Sequence, residues 1–323
     1  MSRLRIAVLG AGRIAQEHLK VLTARPDCEV VLLCDPDPER RRTTAERFGI
    51  PEEAEHPCSV LRRDDLDAAW VLVSVRSVAA VAEPLLRAGL PLLVEKPPGL
   101  YSSETARLAE IASASGAVAT VGLNRRFYST NQAARQAILD QGGPLSLTVE
   151  AHEDLARVDR EKFPEELLRR WSIANGVHAL DLLRFFGGEC RVLHRLAARY
   201  ENSWYDSHSA LLAFENGAVG RAQVDWFSPG AHAYQVRALG AVAVAAPGFG
   251  SIAWMMRGAP AVEFTLAEVD RAYKAGFWAQ AEAFLTGVRD GKQPEFPVPS
   301  LEDAWKSQLL IEQICGLTDS PTP

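Results

Sequence analysis

Several groups of residues in this chain have types and spacings that can do chemistry. Behind a short apolar run comes Gly10-Ala11-Gly12-Arg13-Ile14-Ala15. Gly10 allows a tight turn, Gly12 lets the backbone approach a pyrophosphate, and Ala15 permits close helix–strand contact. Arg13 and Ile14 then open a helix whose N-terminus faces the phosphates. A second apolar run ends at Asp35, an acid at the distance that a ribose diol requires. A glycine turn with no ligand is the plainer alternative, and the setting between strand and helix argues against it. The Asp35 charge should repel the 2′-phosphate of NADP, so NAD is the expected cofactor and NADP the lesser one. Arg40, Arg41 and Arg42 follow closely and could reach a phosphate, but they read as a solvated helix face.

A second group lies in LLVEKPPGL, residues 92–100, where an apolar run ends on Glu95 and Lys96 before two prolines. Proline bars continuation as a central strand, and Pro97 and Pro98 are expected to hold the strand end in an extended path. Ligands of open α/β sheets bind beyond the carboxyl ends of strands, which is where Lys96 falls. An ammonium group there can bond a substrate oxygen and stabilise charge developing in hydride transfer. A surface pair between Lys96 and Glu95 is the alternative. His178 lies in a helical pattern with Asp181 on the same face, which suits a site histidine or a satisfied structural one. Arg125 and Arg126 begin the second domain; two guanidinium forks suit an acidic or phosphorylated substrate, or an interdomain salt bridge. Trp171 precedes the histidine helix and can stack on a sugar ring or pack in the core.

These residues need elements to hold them. In the first third, hydrophobic runs (LRIAVLG, CEVVLLCD, AAWVLVSV, PLLVEKP, AVATVGL) alternate with helical patterns, which means a parallel sheet covered on both faces. Beyond about Leu123 the pattern alternates instead, in SLTVEAHEDL and SALLAFENGAVGRAQVDWF, the latter divided by the hairpin signal Asn216-Gly217. AYQVRALG and AVEFTL add strands, ANGVHALDLLRFFGG a helix with a glycine stop, and two helical segments end the chain. The expected fold is α/β: a Rossmann dinucleotide-binding domain over residues 1–122, then an α+β domain with an open, mostly antiparallel sheet over residues 123–323.

At 323 residues, 47% hydrophobic and 24% charged, the chain suits two ordinary soluble domains. A net charge of −6 gives no footprint for nucleic acid. Five scattered cysteines without metal spacing read as reduced, buried thiols, and no metal site is expected. No apolar stretch approaches a membrane span and no signal-peptide pattern opens the chain, so a cytoplasmic protein is expected.

Taken together the motifs resemble the glucose–fructose oxidoreductase and inositol dehydrogenase family, Gfo/Idh/MocA, over almost the whole chain. The resemblance rests on GAGRIA at Gly10–Ala15, EKP at Glu95–Pro97, GLNRRF at Gly122–Phe127 and NGVHALDLLRFFGG at Asn175–Gly188. It implies NAD(P)-dependent oxidation or reduction of a sugar, sugar nucleotide or cyclitol, and homodimers or homotetramers formed through the second sheet. By it Lys96 matches the family's active-site lysine, and His178 the histidine that exchanges the hydroxyl proton. Ser74 begins the cofactor segment that usually reads threonine-proline-asparagine and here reads Ser74-Val75-Arg76, while Ala79 replaces a frequent histidine. Position 174, commonly aspartate, is alanine, and Asn175 beside it is expected to offer the substrate a neutral hydrogen bond. A dinucleotide-binding sensor without turnover and an NAD-dependent glycosidase are the rival readings.

Overall fold

The five hydrophobic runs of the first third form β1 (Leu4–Leu9), β2 (Cys28–Cys34), β4 (Ala68–Val71), β5 (Leu92–Val94) and β6 (Ala119–Val121), and a short polar edge strand, β3 (Glu52–Ala54), joins them. They pair in the order β3-β2-β1-β4-β5-β6, with every neighbour parallel. β4, β5 and β6 are buried along their whole length, as strands covered on both faces must be. Helices α1 (Arg13–Ala24), α2 (Pro38–Phe48), α3 (Val75–Arg87) and α4 (Ser102–Ser115) connect them. α2 shows why such a polar segment is helical: Asp37 caps its first amides, Pro38 starts it, and Gly49 ends it in the left-handed region.

The computed structural model describes residues 2–318, in two compact units. The first comprises residues 2–123 and 272–305, the second residues 124–271 and 306–318. Residues 272–305, expected in the second domain, pack instead with the first. The reason is apolar: Phe277, Ala281, Phe284 and Leu285 of the helix Phe277–Asp290 join the core of Ile6, Leu19, Leu22, Leu33 and Trp70. Phe284 meets Trp70 edge-on at 4.9 Å between ring centroids. Residues 1 and 319–323, the outer ends of the expected domains, lie outside the described residues.

The second unit is built on strands β7 (Ser146–His152), β8 (Cys190–Ala198), β9 (Ser207–Phe214), β10 (Val219–Asp225), β11 (Ala233–Ala238), β12 (Ala241–Ala245), β13 (Ser251–Met256) and β14 (Val262–Thr265). Their order is β14-β13-β12-β11-β7-β10-β9-β8, antiparallel throughout except for the parallel pair β7–β10. Asn216-Gly217 does turn β9 into β10, with Gly217 at φ 87°. The strands β3, β8, β12 and β13 are not among those expected from the sequence. β8 is an edge strand with little burial, and β12 reads AVAVA, so neither shows a hydrophobic period of two. Helices α5 (Ser129–Asp140), α6 (Glu165–Arg169) and α7 (Val177–Gly187) belong to this unit, and Gly188 ends α7 as expected. Cys58 is exposed, contrary to the expected buried set, and Cys190 is half-buried; the other three thiols are buried and free.

Candidate functional site: a dinucleotide cleft and a carboxylate-centred cluster

In the first unit, β1 and β4 are neighbours whose following helices depart in opposite directions along the sheet, so a crevice opens at their carboxyl ends. A cleft of about 470 Å³ lies there, lined by Gly10, Gly12, Asp35, Arg40, His56, Leu72, Ser74 and Ser77 among others. Gly10 has φ 104°, and a Cβ on it would stand 2.5 Å from the Leu72 carbonyl oxygen, so only glycine fits. At Gly12 nothing lies within 4 Å of the Cβ direction, which leaves the loop open to a ligand. α1 has no side-chain cap and no acid in its first turn, so its leading amides favour an anion. Arg13 is exposed, and Ile14 packs half-buried against the core.

Asp35 is buried beneath this loop and accepts hydrogen bonds from the Ala11 amide at 2.8 Å and the Asp37 amide at 2.9 Å. Arg40 is not merely a solvated face residue: its Nη2 donates to Asp35 at 2.8 Å, and it lines the cleft. Arg41 donates to the Asp35 carbonyl, while Arg42 pairs with Glu46 on the exposed side. Burial alone would raise the Asp35 carboxyl, but bonds from Arg40, Ala11 and Asp37 outweigh it and hold it below the usual range. Ser74, at the head of α3, exchanges a hydrogen bond with Ser77 at 3.1 Å. The loop, its helix end and an ionised acid at the end of β2 are the parts a pyrophosphate and a ribose diol need, so these residues fit a dinucleotide.

β5 ends at Val94, so Glu95 and Lys96 lie just past its carboxyl end. The Lys96–Pro97 peptide is cis rather than continuing the strand's path. Glu95 is buried, its Oε1 at 3.1 Å from His18 Nε2 on α1 and its Oε2 accepting the Lys96 amide at 2.9 Å. Glu95 therefore ties the strand end to the phosphate-loop helix, a holding function that sequence inspection does not suggest. Lys96 itself is half-buried.

In the second unit the two adjacent arginines part company. Arg126 is fully buried and donates to Asp181 through Nε at 2.7 Å and Nη2 at 2.6 Å. Ser307 donates to the same carboxylate at 2.6 Å. Burial would raise Asp181, yet Arg126 holds it in the charged form. Arg126 thus belongs to a sealed ion pair within the unit, and Asp181 is committed to it rather than to orienting His178. His178 is half-buried on α7.

Arg125 joins a different group. Its Nη1 lies 2.6 Å from His232 Nδ1, and its guanidinium stands 4.7 Å over the Phe249 ring. Burial pulls Arg125 down to about 10, still charged at neutral pH. His232 Nε2 lies 2.8 Å from Glu153 Oε1. Glu153 also accepts from Trp171 Nε1 at 2.9 Å and from Asn175 Nδ2 at 2.7 and 2.9 Å. Sheet register makes this possible: β7 and β11 pair antiparallel with Glu150 opposite Ala233, so Glu153 just past one strand meets His232 just before the other. Trp171 and Asn175 come from a π-helical turn, Ser172–Gly176 and the residue before it, that leads into α7. Such turns recur at functional sites because they reaim side chains out of the regular helix. Trp171 is buried, its ring edge-on to Phe163, so packing and a hydrogen bond govern it.

Three expected site residues, Arg125, Trp171 and Asn175, are therefore gathered by two that sequence inspection missed, Glu153 and His232. No local pattern marks either one; only the carboxylate's absence at Ala174 hints that another acid should exist nearby. Burial would raise Glu153, but bonds from His232, Trp171 and Asn175 prevail and keep it ionised. Burial lowers His232 below the usual histidine range, with Glu153 opposing and Arg125 reinforcing.

Comparison with known proteins accords with this division. Residues 4–123 match the Gfo/Idh/MocA family, described as an oxidoreductase family with an NAD-binding Rossmann fold. The chain is 25% identical over 252 residues to scyllo-inositol 2-dehydrogenase (NAD(+)) of Bacillus subtilis (strain 168), which covers 74% of this chain and 72% of that one. It is 26% identical over 232 residues to D-apiose dehydrogenase of Paraburkholderia graminis, which covers 68% of this chain and 60% of the relative. The matched stretch is thus less than two thirds of the second relative's length. In fold it is similar to levoglucosan dehydrogenase solved with NADH and levoglucosan, with a TM-score of 0.82 at 16% identity over 98% of this chain and 97% of that one.

Proposed function

We propose that this chain, whose residues 4–123 match the Gfo/Idh/MocA oxidoreductase family with its NAD-binding Rossmann fold, is a dehydrogenase or reductase of a sugar, sugar-nucleotide or cyclitol alcohol. The observation that carries the reading is the cleft at the β1/β4 switch point, with Gly10, Gly12 and an ionised Asp35 on its wall. When bound there, the nicotinamide ring would take or return the hydride. Gly12 and the first amides of α1 would hold the pyrophosphate, and Asp35 the adenosine ribose, favouring NAD over NADP. Ser74 would contact the cofactor from the head of α3, and Glu95 would support it indirectly by holding α1 through His18.

In the oxidising direction Lys96 steadies the substrate oxygen and His178 accepts the hydroxyl proton as the carbinol hydrogen leaves with its electron pair. Asn175 supplies a neutral hydrogen bond, and Trp171 borders it. Neither Arg126, sealed by Asp181, nor Arg125, paired with His232, favours an anionic substrate, so within that class an uncharged polyol fits better than a sugar nucleotide or a sugar acid. The relatives named above, which act on scyllo-inositol and D-apiose, support that class. Among the described residues no helix is long and apolar enough to cross a membrane, and a cytoplasmic homo-oligomer assembled through the open face of the second sheet completes the reading.

The test is nicotinamide absorbance with NAD or NADP and a panel of scyllo-inositol, myo-inositol, D-apiose and levoglucosan. Net reduction of NAD by at least one polyol is expected, with kcat/KM at least about tenfold above that with NADP. Lys96→Ala should abolish turnover while sparing NAD binding. Stabilisation by NAD without turnover of any polyol would favour the sensor reading instead.

A further inference from the structure

The hydrogen-bond chemistry around Glu153 is determinate. A guanidinium only donates, so His232 Nδ1, 2.6 Å from Arg125, must be the accepting, unprotonated nitrogen. The imidazole proton then sits on Nε2 and is donated to Glu153 Oε1. Both ring nitrogens are thereby engaged, which leaves His232 no nitrogen for a proton relay. It bridges Arg125 to Glu153 and fixes the carboxylate's orientation.

The same hydrogen-bond chemistry orients Asn175. An ionised carboxylate only accepts, so the group facing Glu153 at 2.7 and 2.9 Å must be the Asn175 NH2. In a planar amide the oxygen then lies on the other arm, turned away from Glu153. Asn175 is half-buried and Glu153 keeps 23% of its side chain exposed, so the group is not sealed like Arg126 and Asp181.

We propose that Glu153 is a positioning residue that sets the polarity of the substrate site. By holding the NH2 of Asn175 it presents the Asn175 amide oxygen as a fixed acceptor for a substrate hydroxyl. The carboxylate missing at Ala174 is thus supplied from the end of β7, one residue removed from contact: it acts through an amide instead of touching the substrate. A hydroxyl is selected at that point, and a carbonyl or other acceptor-only group is rejected, because two acceptors would face each other. The inference rests on the polyol dehydrogenase reading above.

A double-mutant cycle tests it with whichever polyol of the panel the wild-type enzyme turns over best. Glu153→Gln lets the Asn175 amide rotate, so KM should rise about tenfold with kcat within about twofold, since a uniform binding contact is lost. Asn175→Ala should do the same, and the double variant should be no worse than Asn175→Ala, because Glu153 acts through Asn175. NAD affinity should not change in any of them. An unchanged KM in Glu153→Gln, a fall in kcat without a change in KM, or additive effects would overturn the proposal; a purely structural carboxylate predicts additivity. The wild-type protein provides a second measurement, independent of turnover and of whether Glu153→Gln folds. The Asn175 side-chain amide protons, assigned by nuclear magnetic resonance from their loss in Asn175→Ala, should exchange slowly with water; fast exchange sinks the idea. If no polyol is turned over, the function above falls and this measurement alone decides the orientation of Asn175.

Discussion

His208, on β9, is a single side chain that limits how acid the second unit's surroundings can become. It is 3% exposed, and its Nε2 donates to the Tyr205 carbonyl at 3.2 Å, which leaves little to stabilise a charged ring. Burial lowers it to about 4 from the ordinary 6.5. The sign follows from proton binding. Below pH 6.5 the unfolded chain takes up a proton that the folded chain refuses, so stability is full above 6.5 and falls as pH drops toward 4. A shift from 6.5 to about 4 corresponds to roughly 3 kcal/mol. His232, lowered for the same first cause, adds in the same direction. Asp27, held at about 2 chiefly by Arg25, loses its contribution only below about pH 4, so the windows separate. Urea unfolding at pH 7 and pH 4.5 should show this loss, and His208→Gln should flatten it; an equal slope in that variant would refute the assignment. Arg125 and Arg126 make the complementary point: chain neighbours of identical chemistry differ entirely in fate, because one meets Asp181 and the other His232.

Among the elements, the helix Phe277–Asp290 illustrates how a distant segment completes a domain. Its buried face is Phe277, Gln280, Ala281, Phe284 and Leu285, at helical spacing. Phe277 reaches His18 on α1 at 4.4 Å between centroids, and Phe284 covers Trp70 of β4. The helix therefore backs the very elements that carry the phosphate loop and the switch-point crevice. Phe284 is completely buried, so Phe284→Ala should cost about 3–5 kcal/mol of unfolding free energy. Guanidinium unfolding, followed with and without saturating NAD, measures it. A loss under about 1 kcal/mol would mean that the helix is not part of the cooperative core of the first unit.

For the whole molecule, the second sheet poses the question of assembly. Its strands alternate, with Ala210, Leu212 and Phe214 of β9 buried and Leu211 exposed, and with Ala222 and Val224 of β10 buried and Val219 and Arg221 exposed. Leu193 and Leu196 on β8, and Met255 on β13, extend the exposed apolar set across the same sheet. Exposed apolar side chains of this kind suit burial against a second copy of the sheet. The proposed homodimer or homotetramer should appear in sedimentation at micromolar concentration, and Leu196→Glu with Leu211→Glu should shift the protein to monomer without loss of NAD binding. A wild-type chain that sediments as a monomer would remove the oligomer from the proposal.

By itself the sequence determined the features whose cause is local. A glycine turn with an acid at the end of the next strand, continuous apolar runs, and Asn216-Gly217 each act within a few residues, so the Rossmann order, the dinucleotide cleft and the β9–β10 hairpin were legible. The motif order also carried the resemblance to the Gfo/Idh/MocA family, whose model matches residues 4–123. Tertiary structure alone decided everything that depends on which distant residue arrives at a given atom. It sent residues 272–305 to the first unit, buried Arg126 against Asp181, placed Arg40 on Asp35 and Glu95 on His18. It also supplied Glu153 and His232 to the group around Asn175, from strands whose register no local pattern reveals. A side chain's charge and shape are written in its own position, but its partner is set by the packing of elements far apart in the chain.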